Sequence, residues 1–334
     1  MGSDYVVYLT RDVPQTGLDI LEDECEIHIW PEQVEPPYEH LVDTLADLQA
    51  DALFCNVADT VDAAVMDASA KLKAIGTMSV GYDHIDLEAA RNRGIAVGHT
   101  PGVLAETTAD LAWALLMAGA RRTVEAHQQV RDGEWETWGP MILLGRDVHD
   151  ATLGVVGLGR IGTEFARRSA GFDMEVLYSH TNQHTAAEED LAGYGIDATY
   201  VELDELLERA DFVSLHVPLL EDTYQLIGED ELKRMDDDAI LVNTARGEVI
   251  ETDALITALE NDWIRHVALD VSDPEPLKPD HPLMAYDPEK LTITPHIGSA
   301  STETRGKMAV MTAENIMAGL HGETPPHNVF DDIQ

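Results

Sequence analysis

Residues 152–162 read TLGVVGLGRIG. A short apolar run with paired valines passes directly into Gly157, Gly159 and Gly162, and from Thr163 the chain continues in a helical pattern. A strand that ends in G-x-G-x-x-G and opens a helix is the context in which this motif cradles the pyrophosphate of a dinucleotide. Gly157 would permit the tight turn, Gly159 would let the backbone approach the pyrophosphate, and Gly162 would let helix and strand pack closely. Arg160 and Ile161 lie within the turn, and the helix N-terminus that follows adds N–H donors and a partial positive charge. The competing reading is a tight strand–helix turn that holds no ligand.

Working outward, short apolar runs alternate with helical patterns on both sides of this turn. Upstream, residues 5–10, 25–30, 52–57, 73–78 and 95–98 read as strands, with helical periodicity at 61–70 and 86–93. Downstream, 152–157, 174–179, 211–217, 239–244, 266–271 and 291–297 read as six further strands, the number of a complete dinucleotide fold. Between the two series one long helix is expected from Leu104 to Val130, opened by Thr100-Pro101-Gly102. A last amphipathic helix, Ser301 to Leu320, is expected to return to the first domain, with chain crossings near 99–101 and 297–300. The fold class is α/β: two doubly wound parallel-sheet domains.

The chain has 334 residues, and 63 acids face 21 bases for a formal charge of −42. Phosphates would be repelled, so no nucleic-acid partner is expected. The acids are spread along the chain and only six bases are Lys. That pattern fits a protein working in concentrated salt, where charges are screened within about 3 Å. Two cysteines, Cys25 and Cys55, lie in apolar runs and read as reduced core thiols. The run LAWALLMAGA at 111–120 is too short to span a bilayer, and the N-terminus enters a strand without a signal-like core, so no membrane partner and a cytoplasmic location are expected.

Three strand ends carry chemistry. Asn243-Thr244-Ala245-Arg246-Gly247 closes one strand, Asp270-Val271-Ser272-Asp273-Pro274-Glu275-Pro276 the next, and Thr294-Pro295-His296-Ile297-Gly298 the last. Ligands of open α/β sheets bind outside the carboxyl ends of strands, so Arg246, Glu275 and His296 can converge there. An imidazole can give or take a proton near neutrality, a neighbouring carboxylate fixes the ring and favours its charged form, and a guanidinium offers a fork for a carboxylate. Each residue taken singly could be structural: a satisfied strand-end histidine, a salt-bridged arginine, a surface acid. His180 and His184 lie in a loop without a third ligand and make no zinc site; no metal is expected.

GLGRIG (157–162), NTARGEVI (243–250), ALDVSDPEP (268–276), TPHIG (294–298), SVGYDHIDL (79–87) and TPGVLAETTADLAWALL (100–116), taken together and in this order, resemble the D-2-hydroxyacid dehydrogenases. WETWGPMILLGRDV (135–148) is similar to the glyoxylate/hydroxypyruvate reductase branch, the 2-ketoacid reductases. The resemblance implies a flavodoxin-like substrate domain (1–99 plus 298–334) and a Rossmann coenzyme domain (100–297), with a cleft between them. It implies a homodimer formed through about 100–150, and reversible reduction of a small 2-ketoacid to the D-2-hydroxyacid. His296 would be the general acid, Glu275 would hold its protonation and orientation, and Arg246 would bind the substrate carboxylate and polarise the carbonyl. Backbone N–H groups of Val80 and Gly81 would complete the carboxylate site, and Trp138 would reach a neighbouring subunit's substrate site. Asp270 would engage the nicotinamide carboxamide, His216-Val217-Pro218 would line the adenine pocket, and Thr244 would lie against the cofactor. A phosphoglycerate- or formate-type dehydrogenase and a catalytically inactive nucleotide sensor are the rival readings on this fold; Glu275 speaks against the formate type and the intact trio against the sensor.

The strand at 174–179 ends in Ser179-His180-Thr181-Asn182, where an NAD site would carry an acid for the ribose 2′-hydroxyl. An acid would repel a 2′-phosphate, whereas Ser179, His180, Thr181 and Asn182 can donate to one, with Arg160 near. NADPH/NADP is therefore the expected cofactor, with NADH/NAD tolerated.

Overall fold

The computed structural model describes residues 4–331. Its contacts divide into two compact units, one comprising the chain up to Leu104 and from Ser299 onward, the other Ala105–Gly298. The first unit holds strands β1 (Tyr5–Leu9), β2 (Cys25–Ile29), β3 (Ala52–Cys55), β4 (Ala74–Thr77) and β5 (Ala96–Gly98), all parallel in the order β2-β1-β3-β4-β5. This is the flavodoxin-like order, and the five expected strands all form. One face buries Tyr8, Leu53, Ile75 and Val97 against the helices of this unit. The other carries the helix Thr302–Leu320, started by Ser301, whose hydroxyl accepts the Thr304 N–H at 3.1 Å. That helix packs directly on the sheet: a Cβ on Gly76 would stand 2.7 Å from Ile316, and one on Gly98 2.4 Å from Asn315.

The second unit is a seven-stranded parallel sheet with strands β6 (Thr152–Val156), β7 (Glu175–Ser179), β8 (Ala198–Tyr200), β9 (Phe212–Leu215), β10 (Ile240–Asn243), β11 (His266–Leu269) and β12 (Leu291–Ile293). The order is β12-β11-β10-β9-β6-β7-β8. The six-strand expectation is corrected here. The missed strand, β8, is the edge strand of the dinucleotide half. Its three residues, Ala-Thr-Tyr, follow Asp197 and hold a threonine, so no continuous apolar run marks it. Successive residues of the central strands alternate between two cores: Leu153, Val155, Phe212, Ile240 and Val242 in one, Val156, Val213, Leu215, Leu241 and Leu269 in the other. Both faces are covered, which is why these strands are apolar throughout.

The single helix expected from Leu104 to Val130 is also corrected. It is two helices, Ala105–Arg121 and Thr123–Arg131, separated at Arg122, which has left-handed φ (52°). The Arg122 guanidinium pairs with Glu125 at 2.7 Å and Glu289 at 2.8 Å, contacts that hold the break. Among the described residues no helix is long and apolar enough to cross a membrane.

Candidate active site

The glycine turn lies at the carboxyl end of β6, between β7 and β9, where the strand order reverses. Gly157 has φ 94°, and a Cβ there would stand 2.7 Å from the His216 carbonyl oxygen. A Cβ on Gly162 would stand 2.0 Å from the Gly157 carbonyl oxygen, so the turn closes on itself only without that side chain. Around Gly159, by contrast, no protein atom beyond its immediate chain neighbours lies within 4 Å of the Cβ position, which leaves open space beside the backbone. The helix Arg160–Arg167 starts here, with Thr163 N–H donating to the Gly159 carbonyl at 2.8 Å. The N–H groups of Arg160, Ile161 and Gly162 precede that first bond and have no acceptor within the helix.

Gly157 N–H donates to the Ser179 carbonyl at 2.8 Å, which sets the end of β7 beside the glycine turn. Ser179 and His180 are half-buried, and Thr181 and Asn182 are exposed. Burial, then the neighbouring His184, push the His180 imidazole below its usual pKa. His184 caps the helix Thr185–Ala192 by accepting the Ala187 N–H at 3.1 Å, so its ring has a structural use. Arg160 is exposed and has no ion-pair partner among the described residues.

His216 follows β9, with its Nε2 2.9 Å from the Ser214 hydroxyl and its ring 4.8 Å from Phe165. Enclosure by the protein pushes its pKa down to about 3, so the ring is neutral. Its Nδ1 is buried with no protein partner, as is the Thr244 hydroxyl just beyond β10. Val217 and the exposed Pro218 continue from the same strand end. Two unpartnered buried polar atoms, open space at Gly159 and the N–H groups of a helix start all stand at the carboxyl ends of adjacent strands. This set fits a nicotinamide dinucleotide.

The trio forms at the next strand ends. His296 Nδ1 lies 2.6 Å from Glu275 Oε1. Burial alone would raise the Glu275 carboxyl, but the His296 hydrogen bond and charge, the Ser272 N–H and the Arg246 charge outweigh it and hold the carboxyl below its usual value. An ionised carboxylate only accepts, so Nδ1 carries the hydrogen and Nε2 is the nitrogen left to exchange a proton. His296 has φ 54°, a left-handed backbone rare for a residue with a side chain. Arg246 is half-buried; its guanidinium donates to the Ala245 carbonyl at 2.9 Å.

Two residues not singled out from the sequence hold this geometry. The buried Asn243 side chain donates to the Arg246 carbonyl at 2.8 Å and accepts the Ala245 N–H at 2.9 Å. Gly247 lets the Arg246 loop lie on the Ser272 backbone; a Cβ would stand 2.1 Å from the Ser272 carbonyl carbon and oxygen. Both stand in the quoted NTARG stretch, but only spatial proximity reveals their use. Asp270 is 2% exposed. Its carboxylate accepts from Thr294 Oγ1 at 2.6 Å, Ile297 N–H at 2.8 Å and Gly298 N–H at 2.7 Å. Burial raises its pKa against those hydrogen bonds. Asp270 thus clasps both sides of His296.

In the other unit, Val80 and Gly81 lie in the loop after β4, both half-buried. Trp138 sits in the irregular segment after Arg131 and is 82% exposed, with Trp135 and Met141 exposed nearby.

Known proteins are similar to this chain over nearly its whole length. Residues 113–298 match the NAD-binding domain of the D-isomer specific 2-hydroxyacid dehydrogenases. A glyoxylate reductase of Korarchaeum cryptofilum is 47% identical over 98% of this chain and 96% of its own. A crystal structure of the TT0316 protein from Thermus thermophilus superposes with a TM-score of 0.88 at 45% identity, covering 97% of this chain and 99% of that one. The NADPH-dependent glyoxylate/hydroxypyruvate reductase of Sinorhizobium meliloti, solved with NADP and malonate, gives a TM-score of 0.83 at 28% identity over 98% and 97%. The chain belongs to the D-isomer specific 2-hydroxyacid dehydrogenases.

Proposed function

We propose that this protein reduces a small 2-ketoacid of the glyoxylate class to the D-2-hydroxyacid. The observation that carries the reading is the ionised Glu275 at 2.6 Å from His296 Nδ1, which directs the exchangeable proton to Nε2. His296 Nε2–H protonates the substrate carbonyl oxygen in reduction and removes that proton in oxidation. Arg246 binds the substrate carboxylate and polarises the carbonyl, and the Val80 and Gly81 N–H groups are the second carboxylate anchor. A bound nicotinamide supplies the hydride that forms the new C–H bond. Gly157, Gly159, Arg160, Ile161 and Gly162 would hold its pyrophosphate, and His216, Val217, Pro218 and Thr244 would line its path. The clasp of Asp270 on the His296 loop supports a positioning role beside its expected contact with the carboxamide.

NADPH is the proposed cofactor. The support is the run Ser179-His180-Thr181-Asn182 without an acid, joined through Ser179 to the glycine turn that carries the exposed Arg160, together with the NADPH named for the S. meliloti relative. A homodimer is proposed on the exposed Trp135, Trp138, Met141, Ile142 and Leu144, an apolar patch that a second copy would cover; light scattering should give twice the chain mass. Adaptation to salt is supported by the charge of −42, and a reducing cytoplasm by two free buried thiols, Cys25 and Cys55.

The test is a spectrophotometric assay of glyoxylate, hydroxypyruvate and pyruvate, each with NADPH and NADH in concentrated KCl. Turnover is expected with at least one ketoacid, and His296→Ala should lower it roughly 10²–10⁴-fold. Near-normal turnover by a folded His296→Ala protein would overturn the role of the imidazole.

A further inference from the structure

The loop after β4 owes its shape to the two residues that follow β5. Thr100 N–H donates to the Ser79 carbonyl at 2.8 Å, and His99 Nδ1 lies 2.9 Å from the Val80 carbonyl. A carbonyl only accepts, so that ring nitrogen carries a hydrogen. Both peptide groups are trans, so each N–H points away from its own carbonyl. With the carbonyls of Ser79 and Val80 turned toward residues 99 and 100, the N–H groups of Val80 and Gly81 turn the other way. Neither N–H has a backbone acceptor among the described residues. The next carbonyl is held as well: Ser79 Oγ donates to the Gly81 carbonyl at 2.6 Å and is 2.7 Å from Thr77 Oγ1, itself 3.0 Å from His84 Nε2.

His99 is itself fixed. It is 2% exposed, its N–H donates to the His327 carbonyl at 3.1 Å, and its carbonyl accepts from the Asn315 side chain at 2.9 Å. Asn315 Oδ1 in turn accepts the His327 N–H at 2.9 Å. Gly98 makes room for this clamp, since a Cβ would stand 2.4 Å from the Asn315 Cβ.

We propose that His99 is a positioning residue for anion recognition: its Nδ1–H holds the Val80 carbonyl so that two successive N–H donors, Val80 and Gly81, are presented to a substrate carboxylate. The inference rests on the reading of those two groups as carboxylate donors. A ring that only fills the core would affect stability but not discriminate between charged and neutral substrates.

The experiment compares full-length wild type, His99→Ala and His99→Asn, with thermal melting to confirm folding. Each is assayed with glyoxylate and with its neutral methyl ester. His99→Ala is expected to raise KM for glyoxylate about tenfold or more, with kcat and the ester reaction little changed. His99→Asn, which keeps an amide donor, should recover most of the loss. An unchanged KM, or equal losses for glyoxylate and ester, overturns the proposal. Should the wild type reduce no ketoacid, the functional reading fails, and the loop is then tested by calorimetry with oxalate. Weaker oxalate binding by His99→Ala supports the presentation of donors; equal affinity, or none in the wild type, overturns it.

Discussion

His216 shows how surroundings decide the charge of one side chain. An unfolded chain takes up a proton on this ring near pH 6.5, whereas the enclosed ring resists until about 3. Its neutral burial therefore favours the folded state fully above pH 6.5, and that advantage is lost as pH falls from about 6.5 toward 3. The buried Asp270 carboxyl, raised above its usual value, acts in the opposite sense over its own range. We expect His216→Gln to melt below wild type at neutral pH, with the gap closing as the buffer is acidified; a constant gap would contradict a ring kept neutral. At the end of β7, Ser179→Asp should shift the kcat/KM ratio toward NADH by roughly tenfold or more, through repulsion of a 2′-phosphate; an unmoved ratio would remove this loop as the selector. The identities of Arg246, Glu275 and His296 were readable because residue type and strand-end position both point to chemistry. Asn243 and Asp270 were quoted beside them without their holding roles, since one clamps the next turn and the other reaches 24 to 28 residues ahead to residues 294–298.

Elements were readable wherever apolar periodicity was long enough. The strands of the first unit emerged because short, mostly apolar runs stand out between helical stretches. β8 did not: it is as short as β5, but Thr199 and the flanking Asp197 interrupt its apolar run. The break at Arg122 was hidden for a different reason: RRTVEAHQQV continues a good helical composition, and the left-handed residue is held by ion pairs to Glu125 and Glu289 rather than by a Gly or Pro. The approach of the β10 loop to the β11 loop through Gly247 is likewise a property of two elements. Gly247→Ala should lower stability by about 1–3 kcal/mol, because the new methyl meets the Ser272 backbone. It should also raise KM for the ketoacid while leaving dinucleotide affinity nearly intact. Calorimetric melting and steady-state kinetics on the same preparation would check both; an unchanged melt would mean the loops separate without penalty.

At the scale of the molecule, the charge dominates. Sixty-three acids against 21 bases must repel one another in dilute buffer, and screening shortens that repulsion from about 10 Å at 0.1 M salt to about 3 Å at 1 M. The melting temperature should therefore climb steeply as KCl is raised from about 0.1 M to about 2 M; a flat or falling curve would count against adaptation to salt. Composition alone made this expectation readable. The α/β class and the carboxyl-end placement of the site were also readable, from alternation and the glycine turn. The seating of the helix Thr302–Leu320 on Gly76 and Gly98 was not, because a strand glycine does not announce which neighbour it admits.

The backbone of His296, at φ 54°, has a consequence for selection. A glycine rests in that conformation more easily than an imidazole-bearing residue, by about 1 kcal/mol, and an asparagine as readily as a histidine. His296→Asn, whose amide can still face Glu275, is expected to melt no lower than wild type while turnover collapses. A lineage screened for heat resistance alone would thus have a short mutational route to an inert protein. Under the proposed role, it is selection for the reaction that keeps the histidine at this position.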